Sequence, residues 1–385
     1  MIDLLKELVS INSIYPNEDK VCNFIYYLLL GLGFNVKKHY ISDNRFNLLA
    51  EKGEGDFSYL LYAHTDTVPI YGEWKEDPFT LRVEGDRAIG LGSVDMKGGL
   101  VSILKAVEGF RPNNYKLKVC FGVDEENISE GAYELSKTSW LNDVKGILVP
   151  ESALPFHMSQ KASSHIAIGR KGRSVFTIKI HGESTHGVNT EKGISAIDES
   201  IKLIEALKKL ELTKHDKLGE TSYFVRRFES KSNSLSIPDY AEIELDFHLV
   251  PPDTSLSLKE QLNSFISNLY EKGTLKKTDR NFEVILNERK TPYLEPFIVS
   301  ENDSFLSVVN DSVKEVYGEY TYSYGQSVSD ENIFGSLGIP TLTVGPLGDN
   351  HHSAEEWVSI ESLNNLSKIY RSILEKLDVK FSEKS

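Results

Sequence analysis

His64, Asp95, Glu125, Glu126, Glu151 and the tandem His351 and His352 stand in five segments whose side chains suit metal-assisted hydrolysis. Four of these segments place a histidine or a carboxylate directly after an apolar run or its short extension: LLYAHTD, CFGVDEE, GILVPES and TLTVGPLGDNHH. The fifth, GLGSVDMKGG, puts Asp95 in a glycine-rich loop just ahead of an apolar helical pattern. Imidazole and carboxylate without thiolate form a donor set for a borderline dication such as zinc, and manganese or cobalt are the alternatives. A carboxylate has two oxygens, so Asp95 can bridge two cations about 3.5–4 Å apart, the spacing that two-metal hydrolysis uses. Glu125 and Glu126 are adjacent past a strand, so their side chains diverge; one can bind metal while the other faces a water. Asp66 follows His64 by two residues, a spacing that lets it accept a hydrogen bond from the ring nitrogen that a metal leaves free.

For these groups to meet, the elements before them must end on one side of a sheet. In open α/β sheets ligands bind beyond the carboxyl ends of the strands, where residues distant in sequence converge. Strands are expected at 59–63, 117–123, 147–149 and, far downstream, 341–344, with helices at 304–317 and from about 359 to 377. Apolar strand runs alternating with helical patterns predict an α/β domain with a mixed, mostly parallel sheet covered by helices, built from residues 1–168 and 288–385. Between these two stretches, strands at 174–180, 241–250 and 282–286 and helices at 194–210 and 256–270 predict a separate α+β module over 169–287. Its flanks, GRKGR and NERKTP, are polar and contain Gly or Pro, as domain boundaries do.

Composition narrows the function classes. The chain has 385 residues, 40% hydrophobic and 26% charged, enough for a packed core. Its formal net charge is -14 and no basic stripe is present, which argues against a nucleic-acid partner. Cys22 and Cys120 lie among apolar neighbours and read as free buried thiols of a reducing, cytoplasmic compartment. The opening MIDLLKELVSI has helical spacing rather than a signal pattern, and no apolar run approaches the ~20 residues that span a bilayer, so no membrane partner is expected. Asp124 and Glu355, beside the metal candidates, read as solvated neighbours.

AHTDTVP, GLGSVDMKGG, DEEN and HHSAEEWV together resemble the HxDxVP, GxGxxDMKGG, EE and HxxxEx(V/I) motifs of one family. That family is the zinc aminoacylases and exopeptidases that include acetylornithine deacetylase, succinyl-diaminopimelate desuccinylase and bacterial glutamate carboxypeptidase. The resemblance implies that His64 and Glu151 hold one zinc, Glu126 and His352 the other, and that Asp95 bridges them. It makes Glu125 the general base toward a hydroxide held between two zincs, and it implies a ferredoxin-like dimerisation or lid domain in place of the inserted module. His186, in STHG, would then reach a partner's active site in a homodimer and stabilise the oxyanion. Asn233, Gly325 and Ser327 would contact substrate. His248, in LDFHLVP, stands where the family commonly has an arginine that grips a carboxylate, and imidazole supplies no fixed charge at pH 7. The implied activity is amide hydrolysis of a small N-acyl amino acid, of deacetylase or desuccinylase type. Cleavage of short peptides by a carboxypeptidase or dipeptidase is the enzymatic alternative, and a catalytically silent binding protein is the alternative from another class.

Overall fold

All seven residues of the strand Ser58–His64 are buried, which requires a sheet covered on both faces and accounts for the unbroken apolar run YLLYA. The computed structural model describes residues 1–152, 164–232 and 235–382, and the chain divides into two compact units. The first comprises Met1–Arg170, Ile298–Gly325 and Ser329–Ser385, and the second Lys171–Phe297 with Gln326–Val328. The second unit thus runs past Asn287 to Phe297. Asn287 N–H donates to the carbonyl of Val175 and Arg173 N–H to that of Leu294, so the chain remains bonded to this unit after its last strand.

The first unit is built on a nine-stranded sheet. Its central strands lie in the order Asn35–Tyr40, Phe46–Lys52, Lys116–Gly122, Ser58–His64, Val144–Val149, Thr341–Thr343 and His165–Arg170. The four from Lys116–Gly122 to Thr341–Thr343 pair in parallel, the first two strands join antiparallel, and His165–Arg170 is antiparallel to Thr341–Thr343 and parallel to Thr321–Gly325. The sheet is therefore mixed, and its parallel centre takes strands from both ends of the chain. Helix Ser304–Tyr317 starts at Asp303, whose carboxylate accepts from Phe305 N and Leu306 N, and stops at Gly318 with φ 78°. Helix Ile360–Ser382 packs along it and along Gly98–Val107. A four-stranded sheet joins Gly348–Asp349, Trp357–Ser359, Arg87–Ile89 and Arg82–Glu84 in that order. Cys22 and Cys120 are free and buried. No helix among the described residues is long and apolar enough to cross a membrane.

The second unit has the chain order βαββαβ: Gly172–His181, Ala196–Leu207, Ser222–Ser230, Tyr240–Leu249, Ser255–Glu271 and Phe282–Leu286. Its strands lie in the order second, third, first, fourth, all antiparallel, which is the ferredoxin-like arrangement. Phe176, Ile178 and Ile180 alternate with more polar residues and pack with Leu203, Ile243, Leu245, Leu262 and Ile266 into the core of this unit. The strand Ser222–Ser230 escapes the sequence reading because it is an edge with Arg226 and Arg227 at its centre and little buried surface.

Candidate active site

Three adjacent parallel strands end at one edge and deliver side chains there. His64 closes Ser58–His64, Glu125 and Glu126 follow Lys116–Gly122, and Glu151 follows Val144–Val149. Asp95 comes from the irregular turn Ser93–Lys97, where its backbone takes φ -118° and ψ 86°. The helix after this turn begins Gly98-Gly99, and a Cβ at Gly99 would lie 2.4 Å from the carbonyl oxygen of Pro150. That close approach explains the glycine and sets the Asp95 loop against the strand end bearing Glu151. His352 sits in the turn between Gly348–Asp349 and Trp357–Ser359, where Asn350, His352 and Glu355 all take positive φ.

The side chains converge. His64 Nε2 lies 3.2 Å from Asp95 Oδ1 and 3.4 Å from Glu151 Oε2. His352 Nε2 lies 3.1 Å from Asp95 Oδ2 and 3.1 Å from Glu126 Oε2. Three overlapping groups, His64 with Asp95 and Glu151, His64 with Glu125 and Glu126, and Asp95 with Glu126 and His352, each bring one donor atom per residue within 4.8 Å of the others. Of the tandem histidines, His352 is the one that joins such a group.

Electrostatics mark this cluster as short of positive charge. Burial raises Glu126 to about 7 and Glu151 to about 8, and in both the charge of Asp95 adds to the rise. Burial also raises Glu125 well above the carboxylate range, although His64 opposes it. Burial disfavours the His64 imidazolium, yet Asp66, Asp95 and Glu151 hold its pKa well above the ordinary value. Bonds to Asp95 and Glu126 lift His352 to about 11. Four carboxylates crowded around two imidazoles form a site whose charge favours cations.

The donors fit a divalent metal. Ligand atoms about 2.0–2.2 Å from a tetrahedral zinc stand roughly 3.3 Å apart, close to the four separations above. Glu126 Oε1 and Asp66 Oδ1 are buried with no hydrogen-bond partner among the described residues. The expected role of Asp66 changes in detail. The nearest acceptor to His64 Nδ1 is the backbone carbonyl of Asp66 at 3.0 Å, while its carboxylate stays 3.6 Å away. The other carboxylate oxygen accepts from Glu126 N at 2.9 Å, so Asp66 orients both an imidazole and the Glu125–Glu126 loop.

Asp124 corrects the sequence reading. It is fully buried at φ 76°, accepts from Arg45 Nη2 at 2.9 Å and caps Glu130 N at 2.8 Å. Arg45 also binds Glu18 at 2.6 Å, which ties the loop bearing Glu125 to the N-terminal helices. An isolated Arg45 in a polar stretch gives no sequence signal for this. The run Ser329-Asp330-Glu331 was likewise unassigned: Asp330 accepts from the Tyr62 hydroxyl, and Glu331 accepts from Arg170 at 2.8 Å and Thr343 at 2.9 Å.

The remaining predicted residues are outside the three donor groups. Gly325 ends the strand Thr321–Gly325, where a Cβ would stand 2.4 Å from Cγ of Arg170, so close packing favours glycine here. Ser327 is exposed and groups with the second unit. His186, in that unit, is exposed and its Nδ1 accepts from Val188 N at 3.2 Å. His248 lies in Tyr240–Leu249 opposite Ser222 and Arg173, and burial lowers its pKa. Asn233 falls outside the described residues.

A family profile described as peptidase family M20/M25/M40 matches residues 60–376. Over 379 residues the chain is 24% identical to a succinyl-diaminopimelate desuccinylase of Aliarcobacter butzleri (strain RM4018), spanning 97% of this chain and 99% of that one. It is 34% identical over 209 residues to an acetylornithine deacetylase of Klebsiella pneumoniae (strain 342), covering 51% of this chain and 52% of that one. The crystal structure of aminopeptidase PepT from Bacillus cereus ATCC 10987 matches with a TM-score of 0.78 at 19% identity, over 98% of this chain and 97% of that one, a likeness of fold. With the profile matched along most of its length and a histidine and carboxylate cluster at the strand ends, the chain belongs to peptidase family M20/M25/M40 and is a metal-dependent hydrolase.

Proposed function

We propose that the protein hydrolyses the amide bond of a small N-acyl amino acid, in the manner of a deacetylase or desuccinylase, with two zinc ions held by its own side chains. The observation that carries this reading is the divided carboxylate of Asp95, with one oxygen toward His64 and the other toward His352. His64, Glu151 and Asp95 would hold one ion, and His352, Glu126 and Asp95 the second; cobalt or manganese suits the same donors. When bound, such a pair acidifies a water and polarises the substrate carbonyl. Glu125 groups with His64 and Glu126, and its carboxylate would take the proton of the attacking water and return it to the leaving nitrogen. Asp66 keeps His64 in one ring orientation. By the family resemblance the enzyme is a homodimer in which His186 from a second copy meets the charge developing on the carbonyl oxygen. Asn233, His248, Gly325 and Ser327 are proposed to contact substrate on the same ground.

The desuccinylase that aligns over nearly the full chain supports the N-acyl substrate class. A second reading, exopeptidase or dipeptidase action on short peptides, uses the same donors and the same metal chemistry, and it is supported by the matching profile, which is described as a peptidase family. A panel of N-acetyl and N-succinyl amino acids beside dipeptides, assayed with zinc, cobalt and manganese, separates the two. Hydrolysis confined to dipeptides would replace the first reading with the second, and hydrolysis of nothing in the panel would remove both.

A further inference from the structure

Glu356 is 1% exposed, and its carboxylate lies among backbone amides of the loop that carries Asp95. Oε2 accepts from Gly92 N at 2.8 Å, and Oε1 accepts from Val94 N at 2.9 Å and from Asp95 N at 3.0 Å. Its own carbonyl accepts from Gly90 N at 2.9 Å and from the Ser93 hydroxyl at 3.3 Å. Among the described residues no lysine or arginine forms an ion pair with it, because the nearby Lys97 turns its ammonium to the carbonyls of Leu8 and Ile11. A buried carboxylate without a cation is costly, and here amide dipoles from a single loop offset part of that cost.

Glu356 also borders the other metal candidate. It lies four residues after His352 and directly before Trp357–Ser359, the strand that pairs with Arg87–Ile89 on the way to the Asp95 loop. One residue thus joins the hairpin that presents His352 to the loop that presents Asp95. A ligand shared by two ions must be held to within about 0.5 Å, and a short irregular loop does not reach that precision without support from its surroundings.

We propose that Glu356 is the positioning residue of the metal centre: it locks residues 92–95 to the His352 hairpin, so that the two oxygens of Asp95 face His64 and His352 together. This inference rests on the metal-hydrolase reading above. Glu356→Gln preserves size but turns one acceptor oxygen into a donor, so at least one of the three amides loses its partner. Zinc titration of the metal-free full chain by calorimetry, with the visible absorption of the cobalt form, measures the consequence. The expected result is at least one cation bound about 10–100-fold more weakly, as for other residues that orient metal ligands, and a changed cobalt spectrum. Should the glutamine variant fail to fold by circular dichroism, Glu356→Asp, which keeps the charge and withdraws it by one methylene, carries the same comparison. Lower thermal stability with zinc affinity and cobalt spectrum as in the parent would make Glu356 merely structural and overturn the proposal. Asp95→Asn serves as the control: if it too binds both cations normally, the metal-centre reading falls and the role of Glu356 with it, whereas loss of binding in Asp95→Asn beside normal binding in Glu356→Gln removes only the latter.

Discussion

The Nε2 atom of His352 lies 3.1 Å from Oδ2 of Asp95, although 257 residues separate the two in the chain. On its other side the same carboxylate meets His64 at 3.2 Å. A loop and a hairpin joined by one small sheet bring about the first contact, and the end of a central strand provides the second.

Glu125→Ala should retain both cations and lose roughly 10²–10⁴-fold in kcat, the usual contribution of a positioned acid or base. Metal content by elemental analysis and turnover on the best substrate of the panel check this. A variant that keeps parental turnover would transfer the proton-carrying role to another group.

Removal of metal should abolish activity and lower Tm, because ligands crowded with negative charge stabilise the fold best when cations occupy them. Zinc restored to 100 times its Kd contributes about 2.7 kcal/mol if it binds only the folded chain. Dialysis against a chelator followed by calorimetry with and without zinc measures both effects. An unchanged Tm across that cycle would contradict the cation-site reading.

Arg45→Ala should cost about 3–5 kcal/mol, since it leaves Glu18 and Asp124 buried without their shared cation. Denaturant unfolding is the measurement. The variant should also lose turnover, because Asp124 immediately precedes Glu125 and its backbone geometry depends on that bond. A loss below about 0.5 kcal/mol, the range of ordinary surface substitutions, would refute the clamp.

Burial favours protonation of Asp143, but Lys116 and Lys118 prevail and lower it to about 2. A carboxylate with a depressed folded pKa stabilises the fold above its unfolded value near 3.9, and that contribution fades as pH falls toward 2. Asp143→Asn should therefore destabilise by about 1–3 kcal/mol at neutral pH, as expected for a lost charged hydrogen bond. Below about pH 4 the gap between the two proteins should narrow, and it should close as pH falls through about 2. Parallel unfolding curves from pH 7 to pH 2 with a constant gap between them would show that the ion pair is not the cause.

His186→Ala and Glu125→Ala should each be inactive alone, yet the isolated mixed dimer, with one competent site of two, should recover up to about half of parental activity if His186 serves the other copy's site. Co-expression with two affinity tags isolates the mixed species. Complete inactivity of a mixed dimer of confirmed composition would exclude a role in trans.

Residue types and their spacing along the chain made the candidate donors and their place in the fold readable. Acidic residues and histidines directly after apolar runs define strand ends, and the αβ alternation places those ends on one edge, so His64, Asp95, Glu126, Glu151 and a histidine near 352 are legible as metal candidates from local pattern. The ferredoxin-like strands Gly172–His181 and Tyr240–Leu249 were legible because their apolar residues alternate; the edge strand Ser222–Ser230 was not, since an edge buries too little to leave a pattern. The folded chain groups His352, which the family motif already favours over His351, with Asp95 and Glu126, and it alone turns the Asp66 backbone carbonyl rather than its carboxylate toward His64 and buries Asp124 under Arg45. The physical reason is that periodicity reports which face of an element is apolar, a property of consecutive residues. A hydrogen bond such as Glu356 to Asp95 depends on backbone geometry 261 residues away, which no local pattern encodes.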